Sequence, residues 1–152
     1  MVEYFNRVLD VFQENINIPI GSVGTFHCPI GFSLAFESNL PKVKEDIDVY
    51  FYGSIGKRRQ ILINKLHNNN INLICDKALY GLNRDQKIMR SKIIINMKSA
   101  DIGAYAPLHC LPVQCNKKLM MCEESNGDYG PYIPGKHFIE FQDENDAKVK
   151  IN

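Results

Sequence analysis

The sequence contains no run of about 18 apolar residues, so no membrane-spanning helix is expected. It also lacks an excess of either charge. The 18 Lys and Arg stand against 17 Asp and Glu, a formal net charge of +1. Nothing in that balance calls for nucleic acid or an anionic membrane as partner, and any anion must be held locally. The opening MVEYFNRVLD carries early charges and no apolar core segment, so no secretory leader is expected. A disulfide framework is missing too: Cys28, Cys75, Cys110, Cys115 and Cys122 are odd in number and scattered, four of them inside or beside apolar runs. That pattern suits reduced thiols packed as small hydrophobes, and with the other absences it predicts a cytoplasmic protein. His27-Cys28 and His109-Cys110, with Cys115 and Cys122, form neither a C-x-x-C nor an H-x-x-x-H pair, so no metal site is expected. Adjacent residues such as His109 and Cys110 point apart, which disfavours a Cys-His hydrolase. The Walker spacing G-x-x-x-x-G-K-[ST] and the G-x-G-x-x-G fingerprint are both absent. There is no internal repeat, and the only biased run, NNN at 68–70, reads as a turn.

What remains is an ordinary globular composition, 45% hydrophobic and 23% charged over 152 residues. A chain of this length buries roughly two thirds of its unfolded surface and needs no staples. Phe5, Val8, Leu9 and Phe12 recur at i, i+3, i+4 and i+7, which predicts a helix over 2–14. Two prolines and three glycines follow in NIPIGSVGTFHCPIGF, a loop region with one short strand near Thr25 to Cys28. The polar SNLPKVKED then leads to a more regular part.

From residue 46 on, strand and helix patterns alternate. Ile47 to Tyr52 reads as a buried strand, Lys57 to His67 as a helix with Ile61, Leu62 and Leu66 inward, and Ile71 to Cys75 as a second strand. GLNRDQKIMRS reads as a short helix, and the Ile-rich Lys92 to Met97 as a strand covered on both faces. A helix interrupted by proline is expected near 107–115, then strands in KKLMMCEES and HFIEF. This order predicts an α/β fold: one Rossmann-like three-layer domain with a mainly parallel sheet of about five strands under right-handed crossovers, preceded by an N-terminal helix. The division is a helix and linker over 1–45 and the Rossmann-like domain over 46–152.

In an open parallel sheet the ligand crevice lies beyond the carboxyl ends of the strands. The stretch DIDVYFYGSIGKRRQ places Gly53 and Gly56 there, where main chain can approach a phosphate, with Lys57, Arg58 and Arg59 in the first turn of the next helix. Three cations at a helix N-terminus oppose the helix dipole, a local cost that an anion would cancel. A glycine turn before a solvated basic helix start is the plainer reading of the same residues. Glu123 and Glu124 end a predicted strand on the same edge, where they suit acid–base work, a ribose, or a plain strand terminus. DYGPYIPGKHF is either a sugar-stacking lip or an ordered loop.

The ordered series PIGF, KEDIDVYFYGSIGKRRQILINKL, NLICDKALYG, RSKIIINMK and NKKLMMCEES resembles the C-terminal, donor-binding half of GT-B glycosyltransferases, in particular the group related to spore-coat glycosyltransferase-like proteins. The resemblance spans residues 25 to about 145. It implies a nucleotide-diphospho-sugar as donor, with no other cofactor: the loop Gly53-Ser54-Ile55-Gly56 and Arg58 face the diphosphate, and Tyr80-Gly81 lies near the nucleobase or ribose. The positions where that group carries an Arg and two Glu fall here on His109, Pro112 and about Ala104, with Asp101 or His109 as substitutes. The donor-binding set is therefore Gly53, Ser54, Gly56, Arg58, Tyr80, Gly81, His109 and Glu123, and no catalytic residue is assigned. A GT-B enzyme has two such domains and 152 residues do not hold both, so the resemblance implies an N-terminal acceptor domain or partner chain. The alternative is a non-catalytic Rossmann-like binding or interaction module of the same ancestry, since fold does not carry activity with it.

Overall fold

A computed structural model describes residues 8–10, 25–28, 31–38, 40–99, 105–125, 129 and 132–152. Its centre is a five-stranded sheet of β3 (Ile47–Tyr52), β4 (Leu73–Asp76), β5 (Ser91–Asn96), β6 (Leu119–Glu123) and β7 (Ile139–Phe141). All pairings are parallel, and the spatial order is β4-β3-β5-β6-β7. Helices α1 (Lys57–Asn68), α2 (Gly81–Arg90), α3 (Pro107–Cys115) and α4 (Glu144–Ile151) follow β3, β4, β5 and β7.

Parallel strands need crossovers, and crossovers cover both faces. On one face Val49, Phe51, Ile95, Met97, Met121 and Phe141 pack with Leu62, Ile63 and Leu66 of α1 and Ala147 of α4. On the other, Tyr50, Tyr52, Ile94, Met120 and Cys122 pack with Ile88 of α2 and Cys110 and Val113 of α3. Alternate side chains of one strand thus enter two cores, which is why β3 reads as continuously apolar. The chain is a three-layer, Rossmann-like α/β domain.

Three expectations need correction. Val8–Asp10 is a strand, β1, pairing in parallel with β2 (Thr25–His27), and not part of a helix over 2–14. The spacing of Phe5, Val8, Leu9 and Phe12 fits a helix and not an alternating strand, and the backbone pairing of Val8–Asp10 with Thr25–His27 overrides that local period. The rest of that span lies outside the described residues. Ile61 is 50% exposed, while Ile63 is buried. At about 100° per residue, Ile61 falls on the side of α1 away from Leu62 and Leu66. β4 also begins two residues later than expected, because Ile71 closes the turn after α1 through its N–H to Leu66 O at 3.1 Å.

Residues 31–38 and 40–46 precede β3, and the first stretch is fixed to the domain. Asn116, the C-cap of α3, holds it by accepting from Ser38 N at 2.7 Å and donating to Phe36 O at 2.8 Å. Cys110, Cys115 and Cys122 are buried and unpaired, Cys75 is half-buried and Cys28 exposed. Among the described residues, no helix is long and apolar enough to cross a membrane, and no group of three or more His, Cys, Asp or Glu could hold a metal ion.

Candidate functional site

β3 and β5 are neighbours, but their following connections diverge. The chain leaves β3 for α1 on one face and leaves β5 for α3 on the other. This is the topological switch point, where open α/β sheets bind ligands. A cleft of about 400 Å³ lies there, lined by Tyr52, Gly53, Ser54 and Arg59 of the β3–α1 passage, by Tyr80 and Arg84 at the start of α2, and by His109 of α3. None of α1, α2 and α3 has a side-chain cap on its N-terminus, whereas Asp143 caps α4 by accepting from Asn145 N and Asp146 N. The uncapped ends leave amide donors and positive dipole ends on this rim.

Gly53 makes the turn possible. Its φ of +134° lies in a region closed to other residues, and its N–H donates to Asp76 O at 3.1 Å, tying the end of β3 to the end of β4. A Cβ here would stand 3.3 Å from His109 Cε1 and 3.5 Å from Phe51 Cζ. Gly53→Ala is expected to cost about 1–3 kcal/mol of stability, read as a lower urea midpoint with an unchanged slope.

His109 stacks on Tyr52 with ring centroids 4.2 Å apart, and the Tyr52 hydroxyl donates to His109 O at 2.5 Å. Burial, helped by the positive charges of Arg59 and Arg84, pushes the His109 pKa down to about 4. The imidazole is therefore neutral in the cleft at pH 7. Positive charge comes from the two guanidinium groups. Arg84 lies over the Tyr52 ring at 6.0 Å and pairs with Asp85 at 2.7 Å. Arg59 sits over Phe51 at 5.3 Å; it donates from Nε to Met97 O at 3.0 Å and from Nη1 to Ser54 O at 2.8 Å. Its guanidinium bridges the loops after β3 and β5, so it shapes the cleft as well as charging it.

The structure thus brings Gly53, Ser54, Tyr80 and His109 together in one cleft. Gly56 is the N-cap of α1, and Gly81, at φ +57°, is the first residue of α2. Arg58 and Glu123 lie elsewhere. They line a neighbouring hollow between α1 and α4 and face each other: Arg58 Nη1 donates to Glu123 Oε2 at 2.9 Å and Nη2 to Oε1. Lys98 N–H adds a third donor to Oε2 at 2.9 Å, and Arg58 Nη1 also donates to Lys98 O at 3.1 Å. The expectation that Arg58 turns to a diphosphate and Glu123 to a ribose meets a closed intramolecular clamp. The conflict of cations at the start of α1 is met from within, by Glu123 for Arg58 and by carbonyls for Arg59, and Lys57 is left exposed. Glu124 is exposed and its N–H donates to Phe141 O at 2.7 Å. Pro112 is buried inside α3; Asp101 and Ala104 lie outside the described residues. Tyr129 and Tyr132 pack their rings on Tyr105, within an ordered cluster with Phe138.

Tyr52, Arg59 and Arg84 were not in the expected set. Arg59 belongs to the cationic run already read at the start of α1. Arg84 carries the same signal, a cation in the first turn of a helix against the dipole. Comparison of the chain with models of protein families, with curated protein sequences and with solved structures gives no match.

Proposed function

We propose that this chain is a nucleotide-diphospho-sugar-binding domain of the GT-B glycosyltransferase type, holding the diphosphate at the switch point and relying on a second domain or chain for the acceptor and the catalytic base. The observation that carries the reading is the cleft itself: a glycine turn, two guanidinium groups and three uncapped helix starts converge where the sheet topology opens. The ordered motif series of the sequence supports it further. No carboxylate lines this cleft among the described residues, so this half offers binding and charge stabilisation and leaves proton transfer to other groups. In sugar transfer from a diphosphate, Arg84, with Arg59 behind it, would offset the charge that develops on the leaving group.

Calorimetry with UDP, GDP, ADP and TDP tests the reading. Binding of at least one is expected, and Arg84→Ala is expected to weaken it tenfold or more, about 1.5–3 kcal/mol for a hydrogen bond to a charged group. Arg84 pairs with its neighbour Asp85, the two side chains being 17% and 20% exposed, and lies over the Tyr52 ring, so the same variant is expected to lose about 1–2 kcal/mol of stability and to stay folded, which its urea midpoint checks. Equal affinity in the variant would remove Arg84 from the site.

A second reading, a non-catalytic Rossmann-like module, is favoured by one observation. Arg58 and Arg59, the strongest anion candidates in the sequence, donate hydrogen bonds to the protein's own carboxylate and carbonyls. Failure of every diphosphate to bind would select that reading.

A further inference from the structure

The switch-point cleft holds two guanidinium groups and an imidazole and, among the described residues that line it, no carboxylate. The imidazole turns its nitrogen-bearing edge to the place where the main chain is most open. A Cβ on Gly53 would lie 3.3 Å from His109 Cε1, the carbon between the two ring nitrogens, and 3.9 Å from Arg59 Nη1. Glycine turn, ring edge and guanidinium thus converge on one point. Neither ring nitrogen has a hydrogen-bond partner among the described residues, while the stack on Tyr52 at 4.2 Å and the Tyr52 hydroxyl on His109 O fix the ring in place.

The groups that face the ring come from three elements: Tyr52 from β3, Arg59 from α1, and Tyr80 and Arg84 from the start of α2. Asp85 is paired with Arg84 at 2.7 Å, and Cys110, next on α3, accepts from Asn96 Nδ2 at 3.4 Å. Burial first, then the charges of Arg59 and Arg84, hold the imidazole at about 4. An anion set among these groups reverses the sign of the field at the ring and offers an acceptor to a ring N–H.

We propose that His109 is a proton-linked contact of this site: the ring takes up a proton from solvent as a phosphate-type anion enters between Gly53, Arg59 and Arg84, and it donates a charge-assisted hydrogen bond to that anion. This rests on the phosphate-binding reading given above and adds a direction with pH. A proton held more tightly in the complex than in the free protein makes the anion bind more tightly as the pH falls. With the ring returned to about 6, near its ordinary value, affinity rises roughly fourfold from pH 7.5 to 5.5, and about 0.7 proton enters with each ligand at the lower pH. At pH 7.5 almost none enters.

The test is calorimetry of the full chain with UDP-glucose, GDP-mannose, ADP-glucose and TDP-glucose. Their diphosphate is esterified at both ends and keeps its charge across this range, whereas a free terminal phosphate titrates near 6 and would mask the effect. Each ligand that binds is measured at both pH values in two buffers of different protonation enthalpy, which counts the protons taken up. The parent protein is expected to show the fourfold gain and more than about half a proton at pH 5.5. His109→Gln and His109→Phe should show no uptake and the same affinity at both pH values. The ring C–H signals of the parent protein give a second readout: the histidine signal missing from both variants should titrate near 4 alone and near 6 with ligand. Binding without proton uptake, an affinity that is unchanged or weaker at pH 5.5, or an uptake that persists in the variants overturns the role of His109 while the phosphate reading stands. If no ligand binds the parent protein at either pH, the phosphate reading falls, and this inference with it.

Discussion

Arg58→Ala is expected to lower folding stability by about 2–3 kcal/mol, a fall in Tm of roughly 5–10 °C for a domain of this size. The reason is what the substitution leaves behind. Glu123 is 8% exposed, and its carboxylate is held by both terminal nitrogens of Arg58 and by Lys98 N–H. Without Arg58, a buried negative charge keeps one amide donor. Removing one partner of a buried pair costs about 3–5 kcal/mol; here the Arg58 side chain is 27% exposed, so solvent returns part of it. Arg58→Lys should recover little, because a single ammonium cannot serve both carboxylate oxygens at once. Glu123→Gln should be milder than Arg58→Ala, since an amide oxygen still accepts from Lys98 N–H. The double variant should show a coupling above about 1 kcal/mol. Urea unfolding of the four proteins measures it. A loss below about 0.5 kcal/mol for Arg58→Ala would make the clamp an ordinary surface pair, and Arg58 would again be open to a ligand.

This clamp shows where sequence reasoning stops. β3, the turn at Gly53, α1 and the Ile-rich β5 are legible because burial on both faces leaves an unbroken apolar run and because a positive φ selects glycine. Those signals are local. The partner of Arg58 is 65 residues away, and nothing near Arg58 in the sequence says whether its charge meets a ligand or the protein's own carboxylate. Glu123 ends β6 as expected and still belongs to another contact, because the hollow between α1 and α4 and the switch-point cleft open on the same edge of the sheet. The strand at Val8–Asp10 was misread for the opposite reason, a local period taken as decisive where a pairing distant in sequence decides.

His109 is expected to make the domain acid-sensitive above the range where carboxylates act. Its folded pKa is about 4 against an ordinary 6.5. The unfolded chain therefore takes up a proton as the pH falls below 6.5 and the folded one does not, so stability is fully present above 6.5 and drains away until about pH 4. A shift of this size corresponds to about 3 kcal/mol in all, of which about 2 kcal/mol is gone by pH 5. The paired carboxylates behave differently. Lys118 beside Glu45 and Arg90 beside Asp46 hold those groups below their ordinary 4.5 and 3.8, so their contribution is lost only at lower pH. Between pH 7 and 5 the imidazole beside Arg59 and Arg84 thus adds a slope that these carboxylate pairs do not. His109→Phe keeps a ring against Tyr52 and removes the proton, so its urea midpoint should fall much less than that of the parent protein across this window. An equal fall in both proteins would mean that His109 is not held neutral, and the cleft would then carry three cationic groups at mildly acid pH instead of two.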